Sequence, residues 1–351
     1  MNFTLYALYS LAGGGAELER FSRALPFDIA EGVCIENISE LLEDDTFNVV
    51  RERMGRDDVE TLREVTHALV HRYAPQAIRD PQSNDVIGEA QQSRASEELV
   101  RMLAACLRLI RPTRQSSELM WGRIRENGKF DVFGFNHPVL LVETPENQKL
   151  FSIRDGDADS LRAYAQEFLR AMRGQFWKFR MAVQFHELGH WQQGNPKARY
   201  LLWASAIEAI YTSHGGEHKG SLVAKERIKW FLGENTSIYP AGELSDLLAD
   251  PNLRLGELVD DLYEVRNFIA HGDRIPDRIF QDTLRDGFNG RATVFQVLFE
   301  AQSFIIRKSL LKILHDNLLH HFADAAPAEA YFGGKGLTNA SIRARLHSGR
   351  P

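Results

Sequence analysis

The chain has 351 residues, 44% hydrophobic and 26% charged, with a formal net charge of -6. That length suggests two domains, and the charge argues against a nucleic-acid coat protein, whose affinity needs a broad basic surface; an enzyme that grips a short RNA locally stays open. The two cysteines, Cys34 and Cys106, are too few for a disulfide framework or a cysteine zinc site, and suit a reducing cytoplasm. There is no apolar run of about 18 residues, so no membrane span is expected, and the opening MNFTLYALYS lacks the basic start of a signal peptide.

Residues 1–155 read as a mixed α/β domain. Phe3 to Leu11 is apolar and aromatic, a buried strand or short helix, broken by Gly13-Gly14-Gly15, which read as a turn since no GK[ST] follows. Val33 to Ile38 alternates as a strand. Asp57 to Tyr73 reads as a helix with Val59, Leu62, Val65 and Leu69 on one face. Ser96 to Ile110 reads as a second helix, capped by Ser96 and lined by Leu99, Met102, Leu103 and Cys106. Phe130 to Phe135 and Val139 to Val142 read as strands. No catalytic constellation stands out here, and a sensing or recognition role is the expectation from position alone.

The stretch TPENQKLFSIRDGDADS marks the boundary, and residues 156–323 are strongly helical. Asp159 or Ser160 is a candidate cap for a helix through Leu161 and Phe168, interrupted at Gly174. Phe176 to Trp191 follows, and Asn195-Pro196 opens the next helix, Lys197 to Thr212. That helix is apolar nearly all round and should be buried, with Glu208 the one carboxyl in the run LLWASAIEAIY. A buried carboxylate needs a partner, and Arg266 is the candidate. Shorter helices at Ser221 to Leu232 and Leu244 to Leu248 precede an irregular Arg274 to Gly290 and a long closing helix, Thr293 to Phe322. Arg307, Lys308, Lys312 and His315 on the latter read as a solvated face or an RNA-facing patch. Residues 324–351, rich in Ala, Pro and Gly, read as a disordered tail.

The segment LYEVRNFIAHGDRIP at Leu262 to Pro276 carries the chemistry. Leu255, Leu258, Val259 and Leu262 recur at helical spacing, and Gly272 suits the left-handed position after a helix. Arg266 and His271, five residues apart, converge only if the helix ends or tightens between them. Arg266-Asn267-Phe268-Ile269-Ala270-His271-Gly272 resembles the RxxxxH motif, commonly RNxxxHG, of HEPN domains (higher eukaryotes and prokaryotes nucleotide-binding). The resemblance covers roughly the second half of the chain and implies an all-α HEPN-like helical bundle there; after the mixed α/β N-terminal domain read from the residue pattern, the expected class is α+β overall. The resemblance further implies a cofactor-free endoribonuclease, dimeric through the helical domain, of the kind found in toxin–antitoxin and defence systems, where an antitoxin partner or trigger is an open question. Arg266, Asn267 and His271 would be catalytic and Glu208 supporting, since HEPN domains often carry an acidic residue on an earlier helix beside the motif. A HEPN-fold module that binds nucleotide or RNA without turnover is the alternative.

A second motif competes. His186-Glu187-Leu188-Gly189-His190 is an HExxH, which on a helix places both histidines on one face, one turn apart, with Glu187 as a base to activate water. The string resembles zinc metallopeptidases, and that reading needs Glu208 as third ligand. The longer pattern fails, because Gln193 stands where Gly is needed and Pro196 where a third His is needed. The bland expectation is two histidines on a helix surface.

Overall fold

The computed structural model describes residues 22–38, 67–73, 89–111, 155–190, 192, 195–212, 220–238, 254–280 and 293–347, and strands at 4–10, 78–79, 86–87, 115–116, 119–124, 130–135 and 140–141. The chain is α+β: mostly helical, with an antiparallel sheet. It divides into two compact units, Met1–Leu169 and Arg170–Pro351. The division falls inside a helix, not at the expected 155/156 boundary.

In the first unit the described strands are β1 (Thr4–Ser10), β2 (Phe27–Ala30), β3 (Val33–Asn37), β4 (His67–Tyr73), β5 (Ile78–Arg79), β6 (Val86–Ile87), β7 (Gln115–Ser116), β8 (Leu119–Ile124), β9 (Phe130–Phe135) and β10 (Leu140–Leu141). Six of them form one sheet in the order β2-β3-β4-β1-β8-β9. β1 sits centrally, with Leu8 opposite Val70 of β4 on one side and Met120 of β8 on the other. Glu31 and Gly32, at φ 50° and 79°, close the β2–β3 hairpin, the positive dihedrals that a two-residue connection needs to match strand twist. Helix α1 (Glu89–Ile110) packs against β1, β4 and β8. Its Leu99, Val100, Leu103, Cys106 and Leu107 are buried at helical spacing.

Two expectations change here. His67–Tyr73 is a strand, not the end of a helix; residues 57–66 lie outside those described. Ala68, Leu69 and Val70 are all buried, and periodicity does not separate a short, fully buried strand from a helix. Ser96 is not a cap but sits inside α1, its hydroxyl 2.7 Å from His71 Nδ1. Gly13 to Gly15, Val139 and Val142 fall outside the described residues, while Leu140–Leu141 is a strand as expected.

Helix α2 (Asp155–Arg173) opens with Asp155 and Asp157 in its first turn, where the helix dipole favours anions. Asp155 accepts from Ser22 N at 2.8 Å, and Asp159 pairs with Arg23. Arg162 donates to the Asp28 carbonyl at 2.7 Å while stacking on Phe27. Ser160 is interior, its hydroxyl returning to the Gly156 carbonyl rather than capping.

The second unit is built from α3 (Trp177–His190), α4 (Pro196–Tyr211), α5 (Gly220–Ile228), α6 (Leu255–His271), α7 (Val294–His315), α8 (Ala325–Gly333) and α9 (Asn339–His347). Asn195 caps α4, its side chain accepting from Ala198 N at 3.0 Å, with Pro196 at the first helical position. A π-helical turn, Lys229–Gly233, extends α5; Leu244 to Leu248 lies outside the described residues. Thr293 and Gln296 form a capping box at the start of α7. α7 packs against α3, α4 and α6, and Ala301 to Arg307 are buried without a break. Each fully buried Ile, Leu or Phe there stabilises by about 1.5–3 kcal/mol. Arg307 is 3% exposed and Lys312 pairs with Asp316 at 2.6 Å, so the basic residues of α7 do not form one solvent-facing patch.

The segment after Phe322 is helical, not a disordered tail. Asp324 caps α8, and Ala328, Phe332, Leu337 and Ile342 are buried. Phe332 packs edge-on against Phe231 and Phe322. Glu329 accepts from both Nη1 and Nη2 of Arg227 at 2.7 Å, and Leu337 O accepts from Arg227 Nε at 3.1 Å. The apolar residues are few but converge on one buried cation, which composition alone does not reveal.

Candidate active site

α6 forms because its apolar residues repeat at helical spacing: Leu255, Leu258, Val259, Leu262, Tyr263 and Val265 are buried. It ends at Gly272, φ 73°, whose amide donates to Ile269 O at 3.2 Å while Asp273 N bonds Phe268 O at 2.8 Å. α6 is fixed against α4 by Tyr200, whose hydroxyl donates to the Leu262 carbonyl at 2.9 Å.

That docking brings Glu208 to Arg266. Arg266 Nη2 lies 3.0 Å from Glu208 Oε1 and 3.3 Å from Oε2, and Nη1 donates to Asn267 Oδ1 at 3.2 Å. The side chains are 30% and 27% exposed. The pair expected from the sequence forms, but half-buried rather than sealed, so the guanidinium keeps a solvent-facing side. Beneath it Tyr263 is 1% exposed, and among the described residues its hydroxyl has no hydrogen-bond partner. Burial, and then the negative charge of Glu208, push the Tyr263 hydroxyl well above its ordinary pKa, so it stays protonated. Sequence reasoning passed over Tyr200 and Tyr263; the signal was a hydroxyl-bearing aromatic on each of two apolar helix faces, where a buried O–H seeks a partner.

His271 is exposed, and among the described residues no hydrogen bond or ion pair holds it. The helix runs regularly through His271 and ends after it, not between Arg266 and His271 as convergence would require. Five steps at 3.6 residues per turn leave the two side chains about 140° apart around the axis. One copy of the chain therefore presents the Arg266–Glu208 pair and His271 on different sides of α6.

The HELGH string forms the end of α3 and departs from both expectations. His186 is 0% exposed and His190 1%, so they are not surface histidines. Their Nε2 atoms are 3.3 Å apart. Trp203 of α4 stacks on His186 with ring centres 5.8 Å apart, meets His190 edge-on at 5.3 Å, and donates from Nε1 to the His186 carbonyl at 3.1 Å. Gly189 is where that indole enters: a Cβ there would lie 2.2 Å from Trp203 Nε1. Glu208 does not join this cluster as third ligand among the described residues; Glu187 does, the three ligand atoms lying within 4.8 Å of one another. Histidines covered this deeply give a peptide bond no approach, which counts against a peptidase.

No protein-family model, curated protein or solved structure matches the chain. No helix among the described residues is long and apolar enough to cross a membrane.

Proposed function

We propose that this chain is a metal-independent endoribonuclease of the HEPN type, acting as a homodimer through its helical unit. The observation that carries the reading is the Arg266–Glu208–Asn267 cluster one and a half turns before an exposed His271 at a glycine-capped helix end. Glu208 and Asn267 restrain the guanidinium, and its planar fork is suited to a phosphate. The RNA 2′-hydroxyl attacks the adjacent phosphorus, with His271 moving the proton as general base or acid. Arg266 stabilises charge developing on the phosphate oxygens. The products are a 2′,3′-cyclic phosphate and a 5′-hydroxyl. The angular separation of Arg266 and His271 on α6 is the reason for the dimer: a second copy supplies the group that one copy turns away. A defence or toxin–antitoxin setting fits such an activity.

The test is cleavage of total cellular RNA by the purified chain in excess chelator, beside His271→Ala. Cleavage that persists in chelator and disappears in the variant supports the proposal; cleavage that survives in the variant, or a chain that stays monomeric with and without RNA, overturns it. One observation favours a non-catalytic HEPN-fold module that binds nucleotide or RNA: no described residue orients the His271 ring, as a general base usually requires. RNA binding without cleavage by the parent is the result that module would give.

A further inference from the structure

The geometry points to a binding site for one divalent metal ion of the zinc class at the end of α3, with His186 Nε2, His190 Nε2 and the Glu187 carboxylate as ligands. This goes beyond the ribonuclease reading and does not depend on it.

The donor set is the first argument. Two imidazoles and a carboxylate are borderline ligands that suit Zn²⁺ and its first-row neighbours better than Mg²⁺ or Ca²⁺. The second argument is distance. Two nitrogens bound to one tetrahedral zinc at about 2.0–2.1 Å stand about 3.3–3.4 Å apart. His186 Nε2 and His190 Nε2 stand 3.3 Å apart. Without an ion, the same separation serves a single N–H···N hydrogen bond between the two Nε2 atoms. The third argument is preorganisation. Both rings are fixed by Trp203, and His186 is further constrained by the indole donating to its own carbonyl. His186 Nδ1 is buried and makes no hydrogen bond among the described residues; it stands 3.7 Å from Glu187 Oε1. A small shift of that carboxylate completes the ligand set, since the donor atoms of His186, Glu187 and His190 already lie within 4.8 Å of one another.

Burial decides the role. With His186 and His190 0% and 1% exposed, an ion here is shielded from polymeric substrates and acts on the helix end it occupies. Through Trp203 it stiffens the contact between α3 and α4, the helix that carries Glu208.

The experiment uses the full chain without a polyhistidine tag, stripped with chelator, checked for folding by circular dichroism, and titrated with Zn²⁺ by calorimetry. One equivalent is expected, with a rise in Tm. His186→Gln or His190→Gln should weaken binding at least 100-fold and Glu187→Gln about 10-fold or more. His320→Gln with His321→Gln, the other adjacent histidine pair, should leave binding unchanged. If the buried variants do not fold, the parent alone decides through Co²⁺: an intense visible band of tetrahedral cobalt supports the site, and its absence overturns it. A folded parent that takes up less than one equivalent overturns the proposal, as does uptake that survives in His190→Gln or is lost with the His320 and His321 substitutions. None of these readouts involves RNA, so failure here leaves the ribonuclease reading standing, and the reverse.

Discussion

Two helices of the second unit end in a histidine beside a glycine, and the structure treats them oppositely. At the end of α6, His271 stands in solvent and Gly272 takes a left-handed dihedral with open space around its Cα. At the end of α3, His186 and His190 are sealed and Gly189 is helical, small because an indole occupies the room a methyl would take. The first end is open to a polymer; at the second both histidines are covered. Short motifs with the same residue types thus differ in chemistry through burial, a property of what packs on them.

That contrast can be broken or sharpened in several ways. The largest effect is expected at the open end. His271→Ala should lower RNA cleavage about 10²–10⁴-fold while stability moves by no more than about 0.5 kcal/mol, read by gel assay and by denaturant melt. A large stability loss would mean the open end is structural after all.

The sealed helix should answer to pH. Burial pushes the Lys178 ammonium, at the other end of α3, down from an ordinary 10.5 to about 8. Between those values the folded chain binds fewer protons than the unfolded one, so the Lys178 contribution to stability rises as pH increases from 8 to 10.5. Relative to Lys178→Met, the parent should gain up to about 3 kcal/mol across that window in urea titrations.

Gly189→Ala forces the indole of Trp203 to move, and should cost about 1–3 kcal/mol while sparing cleavage. Glu208→Gln keeps the size of the side chain but removes the charge that restrains Arg266. It should lower kcat/KM about 10-fold with little change in Tm, because the pair is half-exposed. Gly272→Ala is the mildest: nothing crowds the position, and only the positive φ is penalised, by about 1 kcal/mol. A Gly272→Ala cost exceeding that of Gly189→Ala would reverse the comparison.

Much of the second unit was legible because its signals are local. Asn195-Pro196 opens α4, Thr293 opens α7, and Gly272 closes α6, each through one or two residues acting on the adjacent backbone. The Glu208–Arg266 pair was legible through a cost: a carboxylate in an apolar helix seeks a cation. Non-local features were not legible. His67–Tyr73 is a strand because β1 and β3 flank it, and no local pattern encodes its neighbours. The burial of HELGH depends on Trp203, and the angle between Arg266 and His271 on the helix continuing regularly to its last residue.

Arg227 carries a kinetic consequence. Its side chain is 1% exposed and satisfied by Tyr211 O, by Glu329, and by a carbonyl 110 residues downstream at Leu337. Until residue 337 has been synthesised, this guanidinium lacks its downstream partners, and burying it unpaired is strongly unfavourable. Closure of the helical unit is therefore a late event governed by a contact of very long sequence separation, which slows folding.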